Sequence, residues 1–132
     1  MSIAPRDAKY SIWVCWRAGH DGLMQKVWAS SSGRTSAAAT TETADDAIAW
    51  ISSHGGQPWF VWAAFNAPHA PLHFPPNDLH SYDAAATTNR NQYEAMCEAL
   101  DTEVGRLLAA VNPATTNVIF IGDNGTPQNV IQ

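Results

Sequence analysis

Apolar residues in this chain come in blocks. Trp59–Phe65 is apolar without interruption, and so is Val118–Ile121. Each run stops at turn-forming residues, Asn66-Ala67-Pro68 after the first and Gly122-Asp123-Asn124-Gly125 after the second. Short apolar runs bounded by Pro, Gly and Asn predict strands buried on both faces. Between them the period changes. Tyr93, Met96, Cys97, Leu100, Val104, Leu107, Leu108 and Val111 recur at helical spacing and predict a helix over about 91–111, stopped by Asn112-Pro113. Strand, helix, strand is the unit that builds a parallel sheet through a right-handed crossover.

Upstream the pattern predicts a second helix, capped by Thr41 or Thr43 and running to about His54. Ala44, Ala47, Ile48 and Ile51 give it one apolar face, and Gly55-Gly56 ends it. Glu42, Asp45 and Asp46 then lie in its first turns, where the helix dipole favours negative charge. Ser30–Thr41 is rich in small residues and reads as a surface loop, and Tyr10–Trp16 reads as a strand. The expected organisation is a poorly defined segment over residues 1–39 and an α/β unit over 40–132, with a partial parallel sheet and flanking helices.

Composition narrows the partners. A formal charge of −5 argues against nucleic acid. No apolar run approaches the roughly 18 residues of a membrane span, and MSIAPRDAKYS lacks the basic-then-apolar order of a signal peptide, so localisation stays open. Only 14% of residues are charged and six are Trp, which predicts exposed apolar surface and self-association. Two cysteines, Cys15 and Cys97, cannot form a disulfide scaffold; Cys97 on the helix stripe reads as a buried, inert thiol.

Ligands in open α/β sheets sit beyond the carboxyl ends of the strands. If the two strands share a sheet, His69 and the Asp123-Asn124 pair meet at one edge. Asp and Asn supply the oxygen ligands that Ca²⁺ and Mg²⁺ take, and a histidine beside them serves an anionic substrate. Pro68, Pro71, Pro75 and Pro76 stiffen the loop that holds His69. His73 follows His69 by four residues, a two-metal-ligand spacing only on a helix, which these prolines deny. His20, His54 and His80 have no partner logic and are read as solvated.

FNAPHAPLHFPP at 65–76 resembles the PHxP segment of the sulfatases, in the alkaline-phosphatase-like superfamily. VIFIGDNGTP at 118–127 resembles their strand ending in DNG, and the helix between matches in position. The resemblance covers roughly 40–132 and implies an incomplete alkaline-phosphatase-like α/β fold. It implies that His69 is catalytic and contacts the sulfate group, and that Asp123 and Asn124 ligate a divalent metal, Ca²⁺ favoured and Mg²⁺ second. The implied substrate of the whole domain is a sulfate ester, a small molecule or a glycan.

The pattern departs at the nucleophile. The family converts a Cys or Ser in C/S-x-P/A-x-R to formylglycine. Cys15 is followed by Trp16-Arg17-Ala18 and Cys97 by Glu98-Ala99-Leu100, so neither fits. The family's Lys beyond DNG has no counterpart either. The expectation is therefore a piece of a sulfatase catalytic domain, inactive alone. The alternatives are a phosphodiesterase or phosphonate hydrolase of the same superfamily, or a non-catalytic remnant or interaction module.

Overall fold

The structure, a computed structural model, describes residues 12–16, 24–27, 36–54, 58–122, 125–126 and 128–131. In order these form β1 (Ile12–Trp16), β2 (Met24–Val27), α1 (Ser36–Ser53), β3 (Trp59–Trp62), α2 (Asn89–Ala109) and α3 (Gln128–Ile131). The three strands make one sheet in the order β2-β1-β3.

Both ladders are antiparallel, with Ile12 opposite Val27 and Trp13 opposite Trp62. The parallel pair that the sequence predicts is a different one, the 59–65 run with the 117–122 run, and neither ladder is that pair. A short connection between β1 and β2 leaves only the antiparallel option, because a parallel pair needs a long crossover. The predicted strand at 117–122 forms no ladder among the described residues, and its apolar side chains stand in solvent: Ile119 is 80% exposed and Phe120 75%. A strand of that composition becomes buried only when partners cover its faces and pair its backbone.

α1 begins at Ser36, inside the stretch read as a loop. Small residues there serve packing: Ala39 and Thr40 are buried, as are Ala44 and Ala47 further on. Thr43 is not a cap. Its hydroxyl donates back to the Ala39 carbonyl at 2.8 Å, inside the helix. Glu42, Asp45 and Asp46 consequently lie beyond the first turn, and Asp45 instead pairs with Arg106 at 2.6 Å.

α2 fits the expected range within two residues, and Thr88 caps it by accepting from the Asn91 N–H at 3.1 Å. Its buried face is Ala95, Met96, Ala99 and Glu103, rotated from the predicted stripe, and Leu108 is exposed. Alanines on both helices allow close approach. A charged residue then enters the interface with its partners: Glu103, 1% exposed, accepts from Thr41 at 2.8 Å and from Arg106 at 2.5 Å.

These contacts fix direction. Thr41 meets Glu103, Asp45 meets Arg106, and Trp50 and Ile51 share a cluster with Leu107 and Val111. The pairs advance together, so α1 and α2 run the same way. β3 starts beside the end of α1, where Trp59 and Val61 pack on the Trp50–Ile51 cluster. By Ala67 the chain is back near the start of α1, where the Ala67 N–H donates to Thr40 Oγ1 at 3.3 Å. The chain makes the same return along α2 between Val111, in the cluster at its far end, and Thr126, to which the Tyr93 hydroxyl donates at 3.4 Å. The two return segments therefore point the same way, as strands of an α/β unit do.

Candidate functional site

His69 sits at the end of a tight turn. Its N–H donates to the Asn66 carbonyl at 2.9 Å, closing Asn66-Ala67-Pro68-His69. The Ala67 N–H between them is held by the buried Thr40 of α1. The turn thus has a rigid backing, while the His69 side chain is exposed. Its Nδ1 lies 2.7 Å from the Ala70 carbonyl. A carbonyl only accepts, so Nδ1 carries the proton and Nε2 is the end left for a ligand.

The other histidines are occupied differently. His73 Nδ1 donates to the Pro71 carbonyl at 2.9 Å, and no helix spans 69–73. His80, expected to be solvated, is a loop clamp: Nε2 donates to the Pro75 carbonyl at 3.0 Å and Nδ1 accepts from the Tyr82 N–H at 3.2 Å. With both nitrogens used it has no lone pair for a metal. His54, also read as solvated, stacks on Trp50 with ring centroids 3.9 Å apart. His20 lies outside the described residues.

Asp123 and Asn124 lie outside the described residues, as does the side chain of Cys15. Their flanks are described: Gly122 on one side, Gly125 and Thr126 on the other. Thr126 touches Tyr93 near the start of α2, and Ala67 touches Thr40 near the start of α1. With the helices parallel, the loop bearing His69 and the segment flanking Asp123 return in the same direction, but to different levels: Thr40 is level with Glu103, and Tyr93 lies ten residues, about 15 Å, before it. As a donor set, a carboxylate and an amide oxygen are hard ligands that suit Ca²⁺ or Mg²⁺, though Ca²⁺ takes six to eight oxygens. Among the described residues no group of three or more His, Cys, Asp and Glu is placed to hold a metal.

A cleft of about 450 Å³ lies between the 81–82 loop and α2, lined by Ser81, Tyr82, Glu94, Cys97, Glu98 and Asp101. Three carboxylates repel a sulfate, so this cleft does not compete with the His69 turn for an anionic substrate. Glu98 is spent on the Ser81 N–H at 2.9 Å and its hydroxyl at 3.1 Å. The Cys97 thiol is pushed up by burial, partly countered by a hydrogen bond with Tyr93. That is the wrong direction for a nucleophile, consistent with its failed motif.

The sequence places Asn66 just past the strand as a turn former and gives it no role at the site. Its Oδ1 is buried and has no hydrogen-bond partner, a state shared among the described residues only with Trp50 Nε1. An orphan of this kind costs about 1–3 kcal/mol. The signal was available, since an Asn three residues before the histidine, at the end of an apolar run, is a turn former.

The family model described as Sulfatase matches residues 9–129, most of the chain. No solved structure matches it.

Proposed function

From the premise that this chain belongs to the sulfatase family, we propose that it is part of the catalytic unit of a sulfuric ester hydrolase. His69 binds the sulfate group of the ester through Nε2–H as the imidazolium, both ring nitrogens then being donors. Asp123 and Asn124 hold a divalent metal, Ca²⁺ before Mg²⁺, which supplies charge neutralisation at that group when bound. Sulfatases in general use a divalent metal; its identity here is part of the proposal. The observation that supports the reading is the common direction of the two return segments along the helix pair.

The finer fold follows from the same direction. Residues 117–122 take up parallel pairing on the open edge of β3 when the sheet is complete. Turnover also needs a nucleophile: neither Cys15 nor Cys97 has the sequence setting for one, and Ser2-Ile3-Ala4-Pro5-Arg6, which fits the bare spacing, lies outside the matched residues 9–129. The chain alone is therefore inactive. Until its apolar strip is covered, Val118–Ile121 drives association between copies.

The test has two arms. Supplied with Ca²⁺ and an aryl sulfate, the isolated chain shows no hydrolysis; turnover abolished by His69→Ala would overturn the claim of a missing nucleophile. Binding of inorganic sulfate with Ca²⁺ present weakens in His69→Ala and in Asp123→Ala. Unchanged sulfate affinity in both variants would remove the site.

A further inference from the structure

We propose that Asn66 is a second anion donor of the His69 site, giving its side-chain N–H to the same sulfate oxygens. The inference rests on the reading of His69 as the sulfate contact. The turn supplies the placement: the His69 N–H bond to the Asn66 carbonyl, 2.9 Å, puts the two residues at the ends of one β-turn, with Cα atoms within about 7 Å.

The loop is poor in free backbone donors. Pro68 and Pro71 have no N–H, the Ala67 N–H is given to Thr40, and the His69 N–H closes the turn. An anion docked here depends on side chains. His69 offers an Nε2–H donor as the imidazolium, its Nδ1–H being given to the Ala70 carbonyl.

Asn66 offers the complementary group. Of its two polar atoms only Oδ1 is both buried and unpartnered, so the NH₂ end is the one left to meet a ligand. Nothing in the free protein repays that orientation of the amide. A bound oxyanion does, since the NH₂ is a pure donor and sulfate a pure acceptor. A neutral donor beside an imidazole also suits a sulfate ester, whose charge is single.

The same orphan atom separates this role from a structural one. If the Asn66 amide held the turn, removing it would lower the melting temperature. If it serves the ligand, Asn66→Ala melts at or above wild type and loses sulfate. The experiment titrates the chain with inorganic sulfate in Ca²⁺, following the His69 ring resonances by NMR and melting by circular dichroism. Asn66→Ala is expected to weaken sulfate about fivefold, and Asn66→Asp, which places a negative charge there, more than tenfold.

Wild-type affinity in both Asn66 variants would overturn the proposal, and so would a melting temperature lowered by several degrees in Asn66→Ala. If His69→Ala weakens sulfate while the Asn66 variants do not, the histidine reading stands and the Asn66 donor falls. If the Asn66 variants lose sulfate and His69→Ala does not, the donor stands and the histidine contact falls. No binding of sulfate by the wild-type chain would overturn both.

Discussion

Thr41 of α1 donates its hydroxyl to Glu103 of α2 across 2.8 Å, joining two helices 62 positions apart in the chain. Glu103 is buried, and Arg106 completes its neutralisation while also reaching Asp45. These bonds hold the guanidinium above its ordinary range, Asp45 first and Glu103 second. Arg106→Ala leaves a buried carboxylate with only a hydroxyl, a loss of about 2 kcal/mol once the exposure of the guanidinium is allowed for. Glu103→Gln keeps an acceptor for Thr41 and costs about 1 kcal/mol. Urea unfolding measures both, and the opposite order would show that Glu103 is not held as a charged group.

The strip at 118–121 predicts concentration-dependent association. Ile119, 80% exposed, is its most open member. Ile119→Lys is expected to shift size-exclusion elution towards monomer while changing stability by under about 0.5 kcal/mol. Elution identical to wild type would place the association elsewhere.

Cys97 offers a pH test. Burial raises its thiol, so the reactive thiolate forms only above the pH at which an ordinary thiol ionises. Alkylation of Cys97 by iodoacetamide, tracked by peptide mass, is therefore slower in the folded chain than in urea near pH 8. The gap narrows as pH rises. Equal rates at every pH would show that the thiol is not shielded.

The N-cap of α2 is a local contribution. Thr88→Ala removes the acceptor for the Asn91 N–H and is expected to cost about 1 kcal/mol, while Thr88→Ser keeps it. A melting curve for each variant distinguishes the cap from simple loss of a methyl group.

Legibility followed the range of the interactions. α2 was readable because its period, its Asn-Pro stop and its polar start are all local. The start of α1 was not, since Ala39 and Thr40 are buried only in the folded chain and Ser/Thr/Ala composition also suits loops. Glu103 in the interface was hidden for the same reason. Its burial depends on Thr41 and Arg106, which pattern alone cannot pair with it. At the site, the apolar run and prolines pointed to the His69 turn. The orphan Oδ1 of Asn66 appears only once the turn has closed around it. Parallel pairing was inferred from a strand-helix-strand order that gives direction but not ladder bonds.

Because the Ala67 N–H is held by Thr40, the His69 loop is not a portable module. Grafted onto another scaffold by its own residues, it would arrive without its mooring and its histidine would wander. A transplant has to carry the opening turns of α1 as well, and a chimera that exchanges α1 between relatives has to keep a hydroxyl at position 40.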